Sequence, residues 1–141
     1  MDQILTFVGN HPLLFAALAA LIVLLVANEV HGGMTSGKRL SAGEAVRMIN
    51  DRDPLVLDVR SAGDFKKGHL LHAQSVPLTK LDSEISRLGK NPARPIIIYC
   101  ALGSSSLTAA QKLKKAGLQE VYSLRGGING WLNANLPITA R

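Results

Sequence analysis

A single cysteine in 141 residues excludes an intrachain disulfide and a cysteine-built zinc site, and it agrees with a reducing compartment. Aromatic residues are scarce: one Trp, two Tyr and three Phe. That excludes the stacking platforms that hold single-stranded nucleic acid, and no nucleic-acid recognition motif is present. Charge is missing altogether from Gln3 to Asn28, and no Lys or Arg precedes Lys38. There is no P-loop, dinucleotide fingerprint, internal repeat or low-complexity tract. His69 and His72 lack the companion Cys or carboxylate set that a metal site needs. No metal and no cofactor is expected.

What is present begins with the uncharged stretch itself. Leu13 to Ala27 is apolar throughout. As a helix, Gln3 to Asn28 would run roughly 39 Å at ~1.5 Å per residue, against a hydrocarbon core of about 30 Å. The reading is one transmembrane helix within residues 1–30. A cleaved secretory signal is the main rival, but it wants Lys or Arg ahead of the apolar run, and only Asp2 stands there. A one-sided core helix would be shorter. Lys38 and Arg39 follow the run, so positive charge places the remainder of the chain in the cytoplasm, after a single pass through the membrane. Membrane lipid is then a partner. Ala16, Ala17, Ala19 and Ala20 would allow close packing against membrane-protein partners, or serve an ordinary anchor.

His31 to Gly37 reads as a flexible Gly-rich linker, with residues 31–39 joining the anchor to a domain over 40–141. The net charge of +6 belongs almost entirely to that domain. It is a solvated surface with a modest excess, or an attraction towards anionic lipid. Ser41 and Glu44 form a capping box, which predicts a helix to about Asn50 with Ala45, Val46 and Ile49 inward. Leu55–Val59 reads as a buried strand and Ser61–Gly68 as a polar loop with a helical turn near Asp64. Ala73–Pro77 reads as an edge strand. Leu78, Leu81, Ile85 and Leu88 fall at helical spacing before Gly89. Pro95–Tyr99 is the most strand-like segment. Ser105–Ala116 is helical, Val121–Leu124 is a strand, and Gly126-Gly127 turns with positive φ into a short helix carrying Trp131 as a core plug. Alternating strands and helices imply an α/β fold on a mainly parallel sheet.

Cys100 sits where the Pro95–Tyr99 strand hands over to the loop Ala101, Leu102, Gly103, Ser104, Ser105, Ser106. A helix N-terminus offers unpaired N–H groups and positive dipole charge, so a thiol there loses its proton more readily. The bland alternative is a small buried hydrophobe. The loop is equally an anion cradle or an ordinary capped connection.

Taken in order, Leu57-Asp58-Val59-Arg60, Phe65, Gly68-His69-Leu70, Ala73, Val76-Pro77, Ile97-Ile98-Tyr99-Cys100, Gly103, Ala109-Ala110, Leu113, Gly117, Val121, Leu124, Gly126-Gly127 and Trp131 resemble a rhodanese domain over about Leu40 to Pro137. One membrane anchor ahead of one such domain is similar to small bacterial inner-membrane rhodanese-like proteins. The resemblance implies a five-stranded parallel sheet flanked by helices. It implies sulfurtransfer: Cys100 carries sulfane sulfur as a persulfide, cradled by the backbone N–H groups of Ala101 to Ser106, from a sulfane-sulfur donor to a thiol acceptor. Asp58, Arg60 and His69 are then structural supports, with Asp64 as partner for Arg60. The usual loop has Arg in the fifth position after Cys; here Ser105 stands there and supplies no charge for an oxyanion donor. His72 stands where many members have Gly. The missing Arg also favours a second reading, a catalytically weak or inactive binding module that docks membrane proteins. A phosphatase would need Arg in the sixth position, which is Ser106.

Overall fold

The computed structural model describes residues 7–35 and 38–140, and in the first long helix it describes side chains through Asn28 and at Val30. The chain divides into two compact units, Met1–Met34 and Thr35–Arg141.

In the first unit a helical turn over residues 7–10 stops at His11, and α1 (Pro12–Thr35) follows. Proline suits a first turn, where its missing N–H has no intrahelical partner to lose. Apart from the half-buried Phe15, the large apolar side chains from Leu13 to Val26 are exposed. Among the described residues, no helix is long and apolar enough to cross a membrane, so the structure does not show the membrane-spanning helix expected over residues 1–30. The break at His11 separates residues 7–10 from α1. At its other end α1 continues through Thr35, so residues 31–35 of the expected flexible linker are helical. The start of the uncharged stretch and the linker positions 36–37 lie outside the described residues.

The second unit runs β1 (Lys38–Leu40), α2 (Ala42–Arg52), β2 (Leu55–Asp58), α3 (Ala62–Lys67), β3 (Gln74–Ser75), a 3₁₀ turn (Leu78–Lys80) into α4 (Leu81–Leu88), β4 (Ile96–Tyr99), α5 (Ser104–Lys115), β5 (Val121–Leu124) and α6 (Gly127–Asn133). The five strands are ordered β1-β5-β4-β2-β3 and every neighbouring pair is parallel. This is the α/β sheet with flanking helices that the resemblance implies. The residue-by-residue reading missed β1, because three residues opening on Lys and Arg carry no strand signal. Pairing with β5 makes the strand, and Arg125 N–H closes on Leu40 O at 2.8 Å.

Local chemistry sets the helix starts. Ser41 and Glu44 form the reciprocal capping box of α2, with Ser41 N–H donating to Glu44 Oε2 at 2.7 Å. Ser61 caps α3 by accepting from Asp64 N–H. Three consecutive isoleucines make β4 because it is buried on both faces, as parallel central strands are. Side chains alternate between two cores. Leu57, Ile96, Ile98, Cys100 and Val121 meet α4 and α5 through Leu81, Leu88, Ala109 and Leu113. Val56, Ile97, Tyr99 and Leu124 meet α2 and α6 through Ala45, Ile128 and Trp131. Parallel pairing also sends the ends of β2, β4 and β5 to one edge of the sheet, where α/β folds place their ligands.

Candidate functional site

Cys100 leaves the C-terminal end of β4 with its side chain buried, 4% exposed. Gly103 N–H donates to Cys100 Sγ at 3.0 Å. The Ser106 hydroxyl lies 3.7 Å from the sulfur and itself donates to Gly103 O at 3.0 Å. No side-chain oxygen caps α5; the sulfur occupies that acceptor position. Burial pushes the thiol up. The Ser106 N–H, the Ser106 hydroxyl and the N–H groups of Gly103 and Leu102 outweigh it, and the thiol ends below its ordinary value. Each N–H favours the thiolate because it meets a full negative charge.

The loop holds this shape because its carbonyls are taken elsewhere. Ile128 N–H donates to Cys100 O at 2.9 Å and Asn129 N–H to Ala101 O at 3.2 Å. The first turn of α6 thus holds two carbonyls away from the sulfur and leaves the loop N–H groups facing it. Two glycines permit the approach. Gly103 has φ +105, and Gly127, at φ +59, has no space for a side chain: a Cβ there would overlap Cys100 O and come within 2.6 Å of Ala101 O.

Of the loop positions singled out in the sequence, the sulfur draws on Leu102, Gly103 and Ser106. Ala101, Ser104 and Ser105 are exposed, and Leu102 presents its side chain outward, 71% exposed. The serine nearest the sulfur is therefore Ser106, not the Ser105 that replaces the family's Arg. The reason is helical phase: Ser106 points down the inner face of α5, and Ser105 points out.

Residues 41–134 match the Rhodanese-like domain. The chain belongs to the rhodanese-like family. This rhodanese-like protein is 35% identical over 141 residues to the uncharacterized protein YibN of Escherichia coli strain K12, covering 98% of this chain and 97% of YibN. It is 34% identical over 94 residues to the thiosulfate sulfurtransferase GlpE of Coxiella burnetii, 67% of this chain and 86% of GlpE. Among solved structures it is similar to a thiosulfate sulfurtransferase from Pseudomonas aeruginosa, with a TM-score of 0.69 at 27% identity over 82% of this chain and 21% of that one. A rhodanese-related protein from Thermoplasma volcanium shares the fold at a TM-score of 0.67 and 23% identity, over 74% of this chain and 99% of that one.

The three residues expected as structural supports lie at the end of β2 and in the segment that follows it. Asp58 is fully buried at the end of β2 and pairs with Arg60, which is 12% exposed, at 2.6 Å. Arg60 also donates to Gly68 O at 2.6 Å. The expected Arg60–Asp64 pair is not formed. Asp64 instead meets Ser61 and Lys67. An extended chain puts residues i and i+2 on one side, so Asp58 reaches Arg60 first. The bond to Asp58 holds the Arg60 guanidinium above its ordinary value. His69 is buried, with Nδ1 2.8 Å from Phe65 O and its ring stacked on Phe65 at 3.7 Å.

Sequence reasoning missed Tyr99, the residue before the cysteine. It pairs in register with Asp58 and accepts from Leu70 N–H at 3.1 Å, with Arg60 over its ring. Burial pushes its phenol well above the usual range, so it stays protonated. A tyrosine and an aspartate ending adjacent parallel strands are the signal that could have found it. His72 has φ +61, which accounts for glycine being common at that position. Among the described residues, no group of three His, Cys, Asp or Glu side chains could hold a metal ion.

Proposed function

We propose that this rhodanese-like protein is a sulfurtransferase that carries sulfane sulfur as a persulfide on Cys100. One observation carries the reading: a buried thiol lowered by Ser106, Gly103 and Leu102, with Gly103 N–H 3.0 Å from the sulfur. The names of the thiosulfate sulfurtransferase relatives support it. In the first half-reaction Cys100 thiolate attacks the sulfane sulfur of the donor. With thiosulfate, the new S–S bond forms as the bond to the sulfonate sulfur breaks, and sulfite leaves. In the second, an acceptor thiolate attacks the outer sulfur of Cys100–S–S⁻. The acceptor departs as a persulfide and Cys100 returns as thiolate. The loop N–H groups hold the negative charge through both steps. Asp58, Arg60 and His69 fix the end of β2 and the segment that follows it.

Ser105 leaves the loop without a cation of its own, which favours donors that need little oxyanion recognition, such as a polysulfide or a protein persulfide. The same feature supports the second reading, a weak or inactive binding module. One experiment separates them. Purified protein is incubated with thiosulfate and, separately, with polysulfide. Intact mass is read for a gain of one sulfur atom, and transfer to a thiol is measured beside Cys100→Ser. Loading and transfer that vanish in Cys100→Ser support the enzyme. Transfer that survives in Cys100→Ser overturns the mechanism, and a wild type that never loads leaves the binding module.

The proposal extends to location. α1 holds the chain at a bacterial inner membrane, with the rhodanese-like unit on the cytoplasmic side. What supports this is an uncharged run whose large apolar side chains, Phe15 apart, are exposed, a pattern that water disfavours and lipid accepts, followed by Lys38 and Arg39. Membrane fractions washed with alkaline carbonate should keep the protein, and release into the wash refutes the attachment.

A further inference from the structure

Beside the cysteine loop, on the side of β1, lies a groove of about 220 Å³ lined by Arg39, Leu102, Gly103, Ser104, Leu107 and Arg125 among others. Gly103 joins it to the thiol, because its N–H touches Cys100 Sγ at 3.0 Å while its backbone lines the groove. The two arginines arrive from different elements. Arg39 is in register with Ser123 across the β1–β5 pair, and Arg125 follows β5. Arg52, Arg60, Arg87 and Arg94 each meet a carboxylate. Arg39 and Arg125 form no ion pair among the described residues. Glu44 lies within electrostatic range of Arg125, and its carboxylate is already engaged by Ser41 N–H at 2.7 Å and Oγ at 2.8 Å. Two cationic residues lining one small groove, neither neutralised by an ion pair, favour an anion there. The exposed Leu102 and the half-buried Leu107 give the same groove an apolar wall.

We infer that this groove binds the carboxylate of a small-molecule thiol, the acceptor that takes sulfur from Cys100. The assignment rests on the sulfurtransferase reading for the word acceptor, and on the groove alone for the carboxylate. Size admits an acceptor larger than thiosulfate: at about 30 Å³ of liquid per water, a groove of about 220 Å³ holds about seven waters, more than the five heavy atoms of a thiosulfate ion. The groove suits a carboxylate several bonds from its sulfur, with carbon atoms lying on Leu102 and Leu107. Arg39 and Arg125 are then specificity residues, supplying from β1 and β5 the positive charge that Ser105 does not.

Two measurements on the full chain test this. The first is calorimetric titration at low salt with S-methylglutathione, which has carboxylates and no reactive thiol. Binding should occur to the wild type and weaken about threefold in Arg39→Gln or Arg125→Gln and roughly tenfold in the double variant, as exposed charge pairs allow. The second compares persulfide transfer to 3-mercaptopropionate and to its neutral methyl ester. The variants should raise KM for the acid by the same factors, leave KM for the ester unchanged, and leave kcat for both in place. No binding to the wild type, or binding and KM untouched by the variants, overturns the groove assignment. Binding that is lost in the variants, from a protein that transfers sulfur to nothing, keeps the carboxylate site and overturns the acceptor role.

Discussion

Replacing Gly127 with alanine should damage the thiol site from the far side of its loop. Gly127 sits at φ +59, where an L side chain costs about 1–2 kcal/mol. Its Cβ would overlap Cys100 O and stand 2.6 Å from Ala101 O and 2.7 Å from Ala101 C, all backbone atoms with no rotamer to escape into. The loop and the α6 terminus must part. That removes or weakens Ile128 N–H to Cys100 O and Asn129 N–H to Ala101 O, each contributing about 0.5–1.5 kcal/mol. The sum is about 2–5 kcal/mol, which lowers Tm by roughly 10–30 °C for a unit of this size. Any molecule that stays folded has its N–H groups turned from the sulfur, so alkylation of Cys100 at neutral pH should slow about tenfold or more. Gly43→Ala is the control: nothing lies within 4 Å of its Cβ, and it sits inside α2, so stability should hold or rise by about 0.5–1 kcal/mol. Circular-dichroism melts and iodoacetamide kinetics on both variants decide the matter. A Gly127→Ala protein that melts with the wild type and alkylates at the same rate would refute the claim that α6 shapes the loop.

Other outcomes follow from the same geometry. Ser106→Ala removes a hydroxyl 3.7 Å from the sulfur, so the pH midpoint of Cys100 alkylation should rise towards that of a free thiol, about 8.5; Ser105→Ala, at an exposed site, should leave it in place. The native Cys100 pKa is lowered, so its contribution to stability is fully present above the unfolded thiol's value and fades as pH falls through the native one. Denaturant unfolding followed across that window should show the slope in wild type and lose it in Cys100→Ser. Asp58→Ala strips the carboxylate from a nearly buried Arg60 and should cost about 3–5 kcal/mol in urea unfolding; a loss under about 1 kcal/mol would mean that Gly68 O and water satisfy Arg60 unaided.

Much of this arrangement is written in local patterns. The Ser41–Glu44 box, the isoleucine run and the paired glycines before Trp131 each fix their element through nearest neighbours, and each stands where the residues indicate. What local reading could not reach is whatever depends on a distant partner. β1 exists because β5 lies beside it. Arg60 chooses Asp58 over Asp64 because the strand end, not helix spacing, sets the reach. Ser106 rather than Ser105 meets the sulfur because the phase of α5 follows from Gly103, whose φ of +105 no composition rule forecasts. The helix over residues 31–35 runs through two glycines that ordinarily end one.

The bonds from Ile128 and Asn129 to the cysteine loop also set an order of events during synthesis. Cys100 emerges from the ribosome nearly thirty residues ahead of the two amides that hold the loop carbonyls aside. Until α6 is made and docked, the loop N–H groups have no fixed direction, and the thiol holds its proton as an ordinary cysteine does. Reactivity therefore arrives with the completed chain, and a truncated or stalled product exposes an ordinary cysteine rather than an activated one.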